Sequence, residues 1–401
     1  MTLELARDAG ALTPADGVVV AAPFAAAGAL LSPKGAAAIE AEWADLAANA
    51  VEANPFYSPS LLIPALDAFA GVDVRVAIVR DARGRLIALA PVAPARGYSR
   101  LPVKYIATWM HDHCFYAAPL IRKGAEAVAL AALFDLAEKE GAFFRLRHLD
   151  AQGPVAAEAK KAARSAGRLT ASSARFERAL LEGGFTTEDV LDRAMRGKKR
   201  KELRRLRSRL KEQGAVVFET LASAGDVGLW TEEFLELESA GWKGGTGTAL
   251  ASAKAGRAFF AAAVRRAFAA GSLDFHRLTL AGKPIAMIVN FIENGAGYSF
   301  KIAYDEAYAR FSPGVMLEID LLRAFEQRAG LRFVDSCAAR DHPMINTLWR
   351  GRRSIEALNV SGAAPRARLL FQILTGLERA GERLRRTLTA ATTKRDEDAD
   401  L

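Results

Sequence analysis

Cysteine and histidine are scarce in this chain, with two cysteines (Cys114 and Cys337) and five histidines in 401 residues. Two thiols so far apart supply neither a disulfide framework nor a zinc cluster, and they point to a reducing compartment. No run approaches the ~20 apolar residues of a membrane-crossing helix. The apolar stretch from Gly17 to Leu31 follows acidic residues rather than a basic segment, and it contains Pro23. A signal peptide is therefore not expected, and a cytoplasmic setting is. Aromatic residues are only 8% of the chain, and none falls in its most basic segment, which argues against a dedicated nucleic-acid module.

What is abundant is apolar and, in one place, cationic. At 51% hydrophobic residues the chain can fill two ordinary cores, so two domains are expected. The net charge of +9 is not spread evenly: residues 193–211 hold eleven Lys and Arg against one Glu, which leaves the remainder close to −1. The helix predicted from Arg196 to Lys211 has only Leu203, Leu206 and Leu210 as an apolar stripe. It reads either as a solvated scaffold or as a footprint for an acidic partner, RNA or an anionic membrane surface.

Residues 1–50 are alanine-rich and are expected as a loosely attached N-terminal arm with one helix from Gly35 to Ala50. From Asn54 the pattern becomes globular. A helix is predicted over Leu61–Phe69, then strands over Val72–Val79 and Arg85–Val92 joined by the turn Asp81-Ala82-Arg83-Gly84. Short extended runs at Tyr105–Met110 and Phe115–Leu120, a helix over Ala125–Glu140 and a strand over Phe143–Leu149 follow. The second half repeats this order: strands Leu273–Leu280 and Pro284–Phe291, a turn at Glu293-Asn294-Gly295, a strand to Tyr304, a helix to Gly330 and a strand to Asp335. The repeat points to an internal duplication of one α/β unit. The tail, Pro365 to Leu388, predicts an amphipathic basic helix, with residues 389–401 polar and disordered.

The most informative stretch is 298–337. A strand runs into Ala309-Arg310-Phe311-Ser312-Pro313-Gly314, and a helix with Val315, Met316, Ile319, Leu322 and Phe325 on one face follows. A helix start after a small-residue loop offers unpaired amides and the positive end of the helix dipole to an anion. Arg310 beside it suits a phosphate, Ser312 can cap or donate, and Gly314 lets a bulky group approach the backbone. An ordinary capped helix with a solvated arginine fits the same residues.

The stretch FKIAYDEAYARFSPGVML (300–317), the VDSC strand (334–337), Glu238-Ser239-Ala240-Gly241-Trp242-Lys243-Gly244 and Asn54-Pro55-Phe56-Tyr57-Ser58-Pro59 resemble the GNAT acyltransferases. The resemblance is to the CelD-like (BioF2-like) branch and, more distantly, to the Fem peptidyltransferases, and it spans roughly residues 50–360. It implies tandem GNAT-like domains, each a mixed, mostly antiparallel sheet flanked by helices. The divisions are an arm (1–50), a degenerate lobe (51–180), a basic linking helix (181–215), an acyltransferase lobe (216–362) and a helical tail (363–401). It also implies acetyl-CoA or another acyl-CoA as co-substrate, held by Arg310, Phe311, Ser312, Gly314, Val315 and Met316, with no metal. An acceptor amine or hydroxyl, on a small molecule or glycan precursor of polysaccharide or envelope metabolism, would attack the thioester directly. Two other readings stay open: Fem-like transfer of an aminoacyl group from transfer RNA, and a non-catalytic protein that kept the fold.

Direct transfer needs a proton acceptor and a proton donor to the leaving thiolate. Asp335 is the candidate base, and Tyr298 and Tyr304 are the candidate donors. Trp242, Lys243, Lys301 and His342 are candidate substrate contacts. His111 and His113 alternate on an extended segment but lack a third ligand, so they read as cleft lining rather than as a zinc site. Cys337 has no identifiable histidine partner for a nucleophilic role.

Overall fold

The computed structural model describes residues 26–98 and 101–381. The protein is of the mixed α/β class, and among these residues thirteen strands form one sheet: β1 (Ala27–Leu31), β2 (Arg75–Arg80), β3 (Leu86–Tyr98), β4 (Leu101–Thr108), β5 (Leu120–Ile121), β6 (Phe143–Asp150), β7 (Thr170–Glu182), β8 (Val216–Thr220), β9 (Leu273–Leu280), β10 (Lys283–Glu293), β11 (Ala296–Tyr304), β12 (Phe333–Asp335) and β13 (Gly351–Ser361). Their order is β1-β2-β3-β4-β6-β13-β7-β12-β11-β10-β9-β8, with β5 paired to β3. The pairs are antiparallel except β4 with β6 and β11 with β12.

The turn residues set this topology locally. The Asp81 carboxylate accepts from the amides of Arg83 and Arg85, and Gly84 takes a positive φ, closing the β2–β3 hairpin. Ala281-Gly282 and Asn294-Gly295 both place two successive residues at positive φ, the geometry a two-residue hairpin needs to match strand twist. Each half therefore runs hairpin, third strand, helix, parallel strand, with helices Glu126–Glu138 and Pro313–Glu326 in equivalent places. The duplication expected from the sequence is visible in the pairing.

Strand exchange welds the halves. β7, from the first half, pairs with β12 of the second, and β13, the last strand of the second half, lies between β6 and β7. One apolar cluster accordingly draws on both halves, from Trp43 and Phe56 to Phe291 and Tyr298. A second packs helix Pro313–Glu326 on the outer strands through Met316, Leu317, Leu321 and Phe325.

Residues 26–50 are not loosely attached. β1 extends the sheet on β2, and Trp43 is fully buried with its indole donating to the Tyr57 carbonyl at 2.8 Å. The arm is held because an indole and a sheet edge both need partners. The expectations for the first 25 residues and for 389–401 lie outside the described residues. Among the described residues no helix is long and apolar enough to cross a membrane.

Three arginine and aspartate side chains meet where the exchanged strands cross. Asp335, on β12, is fully buried. Its Oδ2 accepts from Arg178 Nη2 of β7 at 2.6 Å and from Arg353 Nη1 of β13 at 2.8 Å, and its Oδ1 accepts from the Cys337 amide at 2.9 Å. Arg178 Nε also lies 2.6 Å from Oδ1, too bent for a hydrogen bond but close enough for strong charge attraction. Arg353 reaches further, to Asp150 at 2.9 Å and Glu52 at 3.1 Å, and its guanidinium stacks 4.4 Å above the Tyr116 ring. Removing one charge from such a cluster strands the others in a dry interior, at a cost of about 3–5 kcal/mol. Asp335→Asn is therefore expected to lower unfolding free energy by about that amount in denaturant titration; unchanged stability with a lost turnover would instead make Asp335 a catalytic group.

Candidate active site

β11 pairs with β10 along its whole length but with β12 only at Ala296–Tyr298. β12 ends at Asp335, and Cys337 turns the chain away with φ 51°. Two parallel strands thus part, and among the described residues no strand covers that edge of β11 beyond Tyr298. A cleft of about 280 Å³ opens beside the parted segment. Its walls are Ile302, Ala303 and Tyr304 of β11, Leu237, Glu238 and Gly241 at the end of helix Val227–Ala240, and Glu306, Gly314, His342 and Met344.

Gly314 stands in the first turn of helix Pro313–Glu326. Ser312 adopts the left-handed conformation (φ 58°) and its side chain makes no cap bond, while its carbonyl accepts from the Met316 amide. Pro313 has no amide to offer. Among the described residues the amides of Gly314 and Val315 find no acceptor, so both point past the helix end as anion donors. Arg310 is exposed, with its guanidinium 4.8 Å from the Phe311 ring centroid and no carboxylate partner among the described residues. The basic helix Gly197–Lys211 packs against the turn Glu306–Phe311 that carries Arg310. Arg200 bonds Glu188 and Asp192, and Arg207 bonds Asp320 at 2.8 Å, whereas Lys198, Lys199, Lys201, Arg204, Arg209 and Lys211 have no acidic partner among the described residues.

The expected site residues divide on this geometry. Tyr304, Gly314 and His342 line the cleft, and Arg310, Ser312 and Val315 are not among its lining but lie close to Gly314 in the chain. Phe311 and Met316 do not reach a ligand through their side chains, because both are buried in the core under the helix. Tyr298 is fully buried as well; its hydroxyl donates to the Ala53 carbonyl at 2.8 Å and accepts from Arg353 at 3.3 Å. Burial pushes its phenol up despite Arg353, so it is no proton donor to a thiolate. Asp335 is likewise no base: burial would raise its carboxyl, but Arg178 and Arg353 outweigh that and hold it below the ordinary range. Lys301 is turned inward to Glu238, Nζ to Oε1 at 3.1 Å, rather than toward an acidic acceptor. Trp242 and Lys243 have side chains outside the described residues.

Packing defines the surroundings of His111, His113 and Cys337, and neither histidine is among the residues that line the cleft. His111 stacks on Phe69 (4.8 Å) and His113 on Phe259 (5.9 Å). Burial drops them to about 3 and about 4, and among the described residues no group of side chains is arranged to hold a metal. Cys337 is buried, and burial lifts its thiol well above the usual range, which removes the thiolate a nucleophile needs.

Glu238 and Glu306 are the carboxylates of the cleft that sequence reasoning left out of the site. Glu238 is 2% exposed and also accepts from the Leu250 amide at 2.8 Å. A carboxylate in the last turn of a helix, six residues before a Gly-Gly pair, was the available signal.

Residues 197–342 match the family model described as acetyltransferase (GNAT) domain. This stretch is similar to GNAT-type domains. The matched residues begin at Gly197 and so take in the basic helix. Three solved structures share the fold. One is a conserved protein of unknown function from Bacteroides thetaiotaomicron (13% identity, TM-score 0.51, 81% of this chain and 97% of that one). Another is the C-terminal domain of a putative lysylphosphatidylglycerol synthetase from Agrobacterium fabrum (14%, 0.52, 84% and 95%). The third is FemX (9%, 0.51, 82% and 98%). No curated protein matches the chain.

The GNAT helix also carries Glu318, one turn beyond Gly314. It is 2% exposed, its Oε2 has no partner, and burial lifts its carboxyl to about 8. Glu293, half-buried and accepting from the Ser58 hydroxyl at 2.5 Å, is lifted to about 7 by desolvation. Both stay protonated in the folded protein where the unfolded chain has released the proton, so the folded state binds more protons above the ordinary glutamate range. Their contribution is whole below about pH 4.5 and is lost as pH rises through about 7 and about 8. Thermal unfolding followed from pH 5 to 8.5 is expected to show a falling midpoint. Glu318→Gln, which keeps the neutral shape, flattens that fall by on the order of a few kcal/mol; an identical slope in the variant would remove Glu318 from the account.

Proposed function

We propose that the protein is an acyl-coenzyme A-dependent transferase of the CelD-like (BioF2-like) kind, acting in the cytoplasm on an amine or hydroxyl of a small molecule or glycan precursor. The observation that carries this reading is the opening between β11 and β12 with the bare helix start of Gly314 and Val315 at its end. A pantetheine arm fits a strand-shaped gap, and unpaired amides with Arg310 suit its pyrophosphate. Coenzyme A supplies the activated acyl group; the chain supplies position and protons. Glu238 and Glu306 make the cleft attractive to a cationic amine. Glu306, at the exposed mouth, takes the proton that the attacking amine sheds, directly or through one water. The Tyr304 hydroxyl, beside Gly314, returns a proton to the departing sulfur. His342 Nδ1 accepts from the Ile345 amide at 3.4 Å, which puts the neutral ring's proton on Nε2 and makes it a donor to substrate rather than a base.

The unpartnered cations of helix Gly197–Lys211 favour one second reading, in which the acyl donor is an aminoacyl-transfer RNA whose backbone lies along that helix. The two readings separate by ligand and by salt. Micromolar binding of coenzyme A by calorimetry, abolished in Arg310→Ala/Gly314→Asp, is expected on the first. Tight transfer RNA binding that falls steeply with salt, with no coenzyme A binding across acyl lengths, would replace it. Once an acceptor is in hand, Tyr304→Phe is expected to lower kcat by about 10²-fold or more with little change in KM; an unchanged kcat would leave proton return to water.

A further inference from the structure

The helix over 365–381 is packed on one side and bare on another. Phe371 and Leu374 are buried against Tyr98, Tyr105 and Phe143, and Glu378 is bonded to the Tyr98 hydroxyl. Leu369, Leu370, Ile373 and Leu377 face outward, 60%, 40%, 52% and 48% exposed. At 100° per residue these four fall within an arc of roughly 100°, so they form a continuous stripe rather than scattered leucines. It is the densest group of exposed large aliphatic side chains among the described residues.

The charges next to the stripe are of one sign. Arg366 and Arg379 are exposed with no acidic partner among the described residues, and Arg368 bonds only the Gly167 carbonyl at 3.2 Å. The one glutamate of the helix, Glu378, is turned inward to Tyr98. In sequence the stretch stays basic: Leu384 and Leu388 follow Leu377 by seven and eleven residues, among Arg383, Arg385 and Arg386 with one acid, Glu382.

Four half-exposed aliphatic side chains amount to a few hundred Å², about the size of a functional surface patch. That is well short of the ~800 Å² per partner of a stable protein interface, and the arginines would repel those of a second copy. An apolar stripe bordered by arginines instead suits the boundary of a bilayer, where leucines enter the acyl region and guanidiniums meet phosphates. We propose that the C-terminal helix docks the protein, reversibly and in the plane of the interface, onto an anionic lipid surface. The surface would need no receptor, because each arginine near anionic headgroups contributes of the order of 1 kcal/mol and the leucines add their burial.

The test is flotation of the full chain with phosphatidylcholine vesicles, with and without phosphatidylglycerol. Expected is binding to the anionic vesicles, about tenfold or more stronger than to neutral ones, and reduced by molar salt. Leu369→Gln/Ile373→Gln should abolish it while leaving the unfolding midpoint unchanged, since neither side chain touches the buried face. Arg366→Ala/Arg379→Ala should weaken it without changing the apolar stripe. Equal absence of binding to both vesicle types overturns the proposal, as does binding that survives in the leucine variant. Self-association that is lost in the leucine variant, without vesicle binding, would assign the stripe to a second copy and overturn it as well.

Discussion

The buried ion cluster around Asp335 is the constraint on which the rest of the structure depends. It exists only because β7 and β13 are exchanged between the halves, which brings Arg178 and Arg353 to one carboxylate at the end of β12. Two guanidiniums in a dry interior are tolerable only with acids in hydrogen-bonding position, and Asp335, Asp150 and Glu52 supply them. The same cluster reaches β11 through the Tyr298 hydroxyl and the first half through Tyr116. Chain from seven separate segments is therefore registered at one point.

That registration prepares the cleft. Asp335 accepts from the Cys337 amide, so the residue at which β12 stops is held in a sharp turn away from β11. The edge of β11 left beyond Tyr298 is the wall against which an extended ligand can lie. On the other side helix Pro313–Glu326 packs on β10 and β11 through its core face, which aims its bare first turn along the same cleft. Ions hold the frame, while Tyr304, Glu306 and His342 line the cleft.

The basic helix and the tail helix show two different uses of positive charge. In Gly197–Lys211 part of the charge is spent on the body, through Arg200 and Arg207, and part has no acidic partner among the described residues. In the tail, glutamate turns inward and arginine stays with exposed leucine. Neither arrangement follows from net charge alone, which is the same wherever the arginines point.

Much of the fold was legible because it rests on local physics. Asn-Gly and Ala-Gly turns, Pro-Gly at a helix start, and alternation in β9 and β10 act over a few residues, so the hairpins, the cofactor-type helix and the duplication could be read directly. The phosphate loop was legible for the same reason: Arg310, Ser312 and Gly314 are neighbours in the chain. The partners of Asp335 were not, since Arg178 and Arg353 are distant in sequence and meet only through strand exchange. Nor was the inward turn of Lys301 to Glu238, or the burial of Tyr298, because a strand pattern gives a side chain's face but not what covers it. By itself, then, the sequence determined elements, turns and the loop that opens helix Pro313–Glu326, all set by short-range sterics and hydrogen bonds. Which acids and phenols are sealed into the frame and which stay open to a substrate was decided by the tertiary structure, through burial and pairing across the exchanged sheet.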